Sequence, residues 1–125
     1  MTVSINKDRG AVYDFVSNPA NLPKWAKAFC LSIEEDGDSW RARTPQGEVT
    51  IKMAARNPYG VLDHTVVPAP GVEVHVPMRV VPNGKMCEVI FTLLRATDMT
   101  DERFDQDRAF VRRDLDSLKK VMEEN

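Results

Sequence analysis

The chain has 125 residues, 42% of them hydrophobic and 29% charged, with 17 basic against 19 acidic side chains and a formal net charge of -2. This length reads as one soluble domain over 1–125, able to bury roughly two thirds of the surface its unfolded form exposes. Scattered, nearly balanced charge excludes a nucleic-acid or anionic-membrane footprint; no apolar run nears the roughly 20 residues of a membrane span, and Met1–Asn6 lacks the features of a secretion signal, so the chain reads as cytoplasmic.

In chain order, a short strand over Thr2–Asn6 leads to Asp8, a predicted N-cap, and to a helix carrying Val12, Phe15 and Val16 that stops before Pro19. A second short helix is predicted from about Asn21, with Pro23 in its first turn and Trp25 near its end. Six extended segments follow: 29–35, 38–45, 47–56, 61–68, 72–82 and 85–96. They are separated by turn signals such as Asp36-Gly37, Asn57-Pro58-Tyr59-Gly60 and Asn83-Gly84. Connections this short predict consecutive antiparallel hairpins. From Thr100, an N-cap followed by Asp101 and Glu102, the residues Phe104, Val111, Leu115, Leu118 and Met122 recur at helical spacing to Glu123. One strand, two short helices, six hairpin-linked strands and a long amphipathic helix bury their apolar surface most simply as an α+β fold, with a seven-stranded curved antiparallel sheet wrapped round the C-terminal helix.

Loop lengths test that arrangement, because paired residues share a face. They predict Met78 opposite Val89, Val76 opposite Phe91, His64 opposite Val76, Met53 opposite His64, Ile51 opposite Val66, Trp40 opposite Met53 and Ile33 opposite Trp40. The loops agree on one apolar face, with Arg41, Lys52 and His75 on the other. His64 is the one ionisable residue well inside the apolar set. Pro77 falls in mid-strand, where it can donate no ladder hydrogen bond, and a bulge or gap facing Asp63 and His64 is expected.

The element order, together with Ala11–Val16 leading through Asn18-Pro19 to Leu22-Pro23-Lys24-Trp25, the stretch Gly60–His64, the run Met78 to Gly84, and the ending Phe91-Thr92-Leu93 through Phe104, Asp107, Val111, Asp114-Leu115 and Leu118-Lys119, resembles the SRPBCC superfamily, in particular START-like proteins labelled polyketide cyclase or dehydrase. That resemblance covers nearly the whole chain and implies a helix-grip fold enclosing a cavity for an apolar or aromatic small molecule. The superfamily includes carriers, cyclases and hydrolases, and no catalytic set common to it carries over. The very short first strand departs from larger members and is expected to leave one cavity edge open.

His64 is the candidate catalytic group, since an imidazole among apolar side chains keeps a pKa near working pH; the competing reading is a histidine tied to a backbone carbonyl. Asp107 and Asp114 share a helical stripe with Val111, from which either could orient His64 or simply be solvated. Trp25, Trp40, Met53, Val76, Phe91 and Val111 are the candidate ligand-binding residues, a set that fits either a pocket wall or plain core. Cys30 is expected on the outer face and Cys87 on the concave one; neither has a nearby base, and no Cys or His cluster has metal spacing, so no metal and no cofactor is expected. Two functions stay open: binding of a small hydrophobic or aromatic molecule, with or without cyclase-like or dehydrase-like turnover assisted by His64, and a protein-interaction or homodimerisation module with a filled core, using an outer patch of Ala54, Val61, Pro77 and Ile90.

Overall fold

The computed structural model describes residues 1–124. The chain runs β1 (Thr2–Ile5), α1 (Arg9–Val16), a 3-10 turn (Pro19–Asn21), α2 (Leu22–Trp25), β2 (Ser32–Asp36), β3 (Ser39–Thr44), β4 (Gly47–Met53), β5 (His64–Ala69), β6 (Val72–Val76), β7 (Met78–Asn83), β8 (Met86–Phe91) and α3 (Asp101–Glu123). Asp8 caps α1 by accepting from the Ala11 amide at 3.2 Å, and Thr100 caps α3 by accepting from the Arg103 amide at 3.1 Å, as short polar side chains at helix starts do.

The strands form two antiparallel sheets, β2-β3-β4-β5-β6 and β1-β8-β7. Eight strands therefore replace the expected seven, because Pro77 divides the segment 72–82 into β6 and β7. Asp63 bridges the break: its carboxylate accepts from the Met78 amide at 2.8 Å and pairs with Arg79. The backbone then re-engages through Leu62, whose amide donates to Met78 at 2.8 Å, and through a bridge between Val61 and Arg79. The fifth strand accordingly begins at His64 rather than Val61. The bent sheet and the long C-terminal helix make a helix-grip architecture.

Two hairpins have the expected register, with Ile51 opposite Val66, Met53 opposite His64 and His64 opposite Val76. The other three are offset by two residues: Ile33 faces Ala42, Trp40 faces Ile51, and Met78 faces Phe91. In the first and last of these the loops are Gly37-Asp38 and Gly84-Lys85, with each glycine leading at a φ near +60°. Glycine at the first central position is the II′ pattern, whereas Asp-Gly and Asn-Gly read as I′ place it second. An offset of two moves partners without exchanging faces, so the face assignment survives although the row through Trp40 and Phe91 does not.

Two clusters form the interior. The larger joins β1, β7 and β8 to the helices through Ile5, Val12, Val16, Met78, Val80, Leu115 and Leu118; the smaller, on the concave side of the other sheet, holds Ala42, Val49, Ile51 and Cys30. Leu22 and Phe29 pack against both. Each fully buried Leu, Ile or Met contributes about 1.5 to 3 kcal/mol. Cys30 is thus buried, not outward: it precedes β2, where strand alternation does not apply. Its thiol donates to the Ser32 carbonyl at 3.3 Å, and burial, with Asp114 nearby, pushes its pKa up to about 11.

Candidate functional site

The concave face of β4, β5 and β6 presents the row Met53, His64, Val76. Backbone pairing places His64 there: its neighbours in sequence, Asp63 and Thr65, face outward, Asp63 to Arg79 and Thr65 to His75. Its Nδ1 lies 3.0 Å from the Leu62 carbonyl oxygen. A carbonyl can only accept, so Nδ1 carries the proton in the neutral ring and Nε2 carries a lone pair. Nε2 has no hydrogen-bond partner among the described residues. The ring meets Phe91 in a T-shaped contact, centroids 6.4 Å apart, a geometry aromatic quadrupoles favour. Burial lowers the His64 pKa, opposed in part by the Leu62 carbonyl and by Asp63. The imidazole is therefore neutral at working pH, and its basic nitrogen is the one without a partner.

Five sequence-selected residues, Trp40, Met53, His64, Phe91 and Val111, are half-buried. Farther along β6, Val74 and Val72 are exposed. On α3 the burial is graded: Leu115, Leu118 and Met122 are buried, while Phe104, Phe110 and Val111 in the earlier turns are half-buried. The core is thus closed around the C-terminal half of α3, while the apolar side chains of its N-terminal half are only half-buried. Trp25 and Val76 are buried; Trp25 belongs to the larger cluster, and its indole Nε1 is buried without a partner.

Neither helix carboxylate bonds His64. Asp107 pairs with Arg103 at 3.1 Å. Asp114 is buried and accepts from the Ala28 amide at 2.9 Å, with the Phe29 amide also bonded to it. It ties α3 to the segment after α2, so that it neither orients His64 nor is solvated, the two roles its place in the stripe suggested. Burial raises its pKa, offset in part by these amides and Arg113. Asp63, named from sequence only as facing the gap expected at Pro77, is the second residue whose work was missed; that break was the available signal.

An open cleft of about 460 Å³ lies where β4, β5 and β6 end. Lys52, Ala54, Asp63, Thr65, His75 and Pro77 among its lining residues share the outer-face parity of the ladder. It therefore opens mainly on the outer side of the sheet, although Met53, His64 and Val76 also line it. Among the described residues no group of three or more His, Cys, Asp or Glu side chains could hold a metal ion, and no helix is long and apolar enough to cross a membrane.

No family model and no curated protein matches the chain. Solved structures do. DynU16, a protein in the dynemicin biosynthetic locus, superposes with a TM-score of 0.72 at 17% identity, over 98% of this chain and 46% of that one. The Aha1 dimer from Colwellia psychrerythraea gives a TM-score of 0.71 at 18% identity, over 98% and 93% of the two chains. Ara h 8.0201 gives 0.69 at 15% identity, over 100% and 96%. At these identities the likeness establishes the shared helix-grip fold and leaves activity to the site itself.

Proposed function

We propose that this chain binds a small hydrophobic or aromatic molecule in the groove between the concave sheet face and the N-terminal half of α3, with Trp40, Met53, Phe91 and Val111 as apolar contacts and His64 as the polar one. The observation that carries this reading is the divided role of the imidazole: Nδ1 is committed to Leu62, and Nε2 is a bare acceptor beside Phe91 on an apolar face. An acceptor in such a setting favours a ligand that brings its own hydroxyl or enolisable C–H. With an enolisable ligand, Nε2 removes the proton and returns it, the acid–base step a cyclase-like or dehydrase-like reaction needs. Val76 continues the concave row beside His64, and Trp25 lies in the larger cluster. DynU16, a structural neighbour from a biosynthetic locus, is consistent with such a ligand. The test is His64→Ala: folding is retained while affinity or turnover for a bound aromatic falls, and an unchanged ligand response removes His64 from the site.

A second reading, an interaction module, draws on the filled half of the grip and on the outer patch, where Ala54 and Pro77 line the open cleft and Val61 and Ile90 flank Arg79. The dimeric Aha1 neighbour is consistent with it. Small molecules that co-purify in native mass spectrometry favour the first reading; self-association abolished by charged substitutions at Ala54 and Ile90 favours the second.

A further inference from the structure

Strand β6 is an edge strand, and its free side carries exposed apolar residues. It hydrogen-bonds to β5 and, among the described residues, to no other strand. The strand that would cover its free side, β8, ends at Phe91; Thr92 donates once to the Pro77 carbonyl at 2.9 Å, and the chain then leaves the ladder. Both faces of β6 are open: Val72, Glu73, Val74 and His75 are exposed, Val72 and Val74 at 48% and 45%. An exposed apolar edge with unpaired backbone groups is a template for another strand.

The residue order selects which strand. Val72-Glu73-Val74-His75-Val76 reads as its own complement when reversed about Val74. An antiparallel pairing of two such strands centred there sets Val74 against Val74, Val72 against Val76, and Glu73 against His75, the last two each occurring twice. The valines lie on one face and the acid–imidazole pairs on the other, as ladder alternation requires. Glu73 has no partner among the described residues, and His75 uses only Nδ1, toward Thr65 at 3.0 Å. Pro70 before the strand and Pro77 after it limit the match to these five residues, because proline cannot extend a ladder.

We infer that β6 pairs with β6 of a second copy of this chain about a two-fold axis at Val74. The pairing joins two five-stranded sheets into one and sets both concave grooves on the same side. It uses the β6 edge, not the outer patch around Ile90, and does not depend on what the groove binds. A ladder this short falls below the about 1,200 Å² of a standard stable interface, so the dimer is weak and concentration-dependent.

Sedimentation equilibrium of the full chain, from micromolar to millimolar concentration, tests it. The wild type is expected to show a monomer–dimer equilibrium. Glu73→Lys sets lysine against histidine, and His75→Glu sets glutamate against glutamate; each should weaken association on the order of ten-fold. The double variant, E73K with H75E, sets lysine against glutamate in the same register and should recover the wild-type constant. Circular dichroism establishes that each variant is folded, and in the wild type a methyl contact between Val74 of a 13C-labelled copy and Val74 of an unlabelled copy gives the register without substitution. A monomer at every concentration, a dimer indifferent to the single variants, or a double variant weaker than either single one overturns the proposal.

Discussion

Asp63 accepts the Met78 amide at 2.8 Å across the break left by Pro77. The strand that lines the site thus continues through a side chain where its own backbone cannot. Asp63→Ala leaves that amide without its acceptor and is expected to lower stability by about 1 to 3 kcal/mol. Asp63→Asn keeps a carbonyl for Met78 and loses only the ion pair with Arg79; both side chains are 42% exposed, so its cost is expected below about 1 kcal/mol. Urea unfolding of the two variants separates amide capture from charge pairing; equal losses would assign the work to the ion pair.

Gly60 has a φ of +76°, and a Cβ there would lie 2.3 Å from the Val80 carbonyl oxygen. Gly71 has nearly the same φ, +78°, and open space around it. Gly71→Ala should therefore cost only the left-handed conformation, about 1 to 2 kcal/mol. Gly60→Ala should cost about 1 to 3 kcal/mol more, from the backbone displacement. Thermal unfolding of the pair measures the difference.

Burial raises the pKa of Asp114, despite the amides of Ala28 and Phe29. An acid whose folded pKa lies above its unfolded value contributes most below the unfolded pKa, and that contribution is lost as pH rises through the folded value. Relative to Asp114→Asn, which does not titrate, the wild type should lose stability as pH rises from the ordinary carboxylate range toward neutrality. Paired denaturation curves across that range check the sign, and a difference independent of pH would contradict it.

His64 shifts the other way. Burial lowers its pKa, so the unfolded chain takes up a proton first. Its contribution is complete above the ordinary imidazole value of about 6.5 and is lost as pH falls through the folded value. The wild type should therefore lose stability relative to His64→Phe on acidification below about pH 7. Parallel pH profiles for the two proteins would show that the ring is not desolvated.

Most of the fold was legible because side-chain period and loop length constrain the same face. The concave placement of Met53, His64 and Val76 opposite the outward Lys52, Thr65 and His75 follows from alternation alone, and it survives the two-residue offsets at Gly37 and Gly84. What alternation cannot supply is which central position of a turn the glycine takes; that choice moved the β2 partner of Trp40 from Ile33 to Glu35 and the β8 partner of Met78 from Val89 to Phe91. Nor could it place residues outside the ladder. Cys30 and Asp114 are buried by the segment after α2, whose path depends on packing against both clusters. The graded burial along α3 was illegible for a similar reason: Phe104, Val111 and Leu115 recur alike, yet only the last is fully buried.

The proposed site depends on the unpartnered nitrogen of His64. The most direct measurement is the 15N spectrum of its imidazole at neutral pH, recorded while 2-naphthol, a planar aromatic with one hydroxyl donor, is added. The free protein should show the Nδ1–H tautomer with Nε2 unprotonated, and the Nε2 resonance should move saturably toward a hydrogen-bonded value while that of His75 stays fixed. A free protein with the proton on Nε2, or a His64 resonance indifferent to 2-naphthol, would contradict the account.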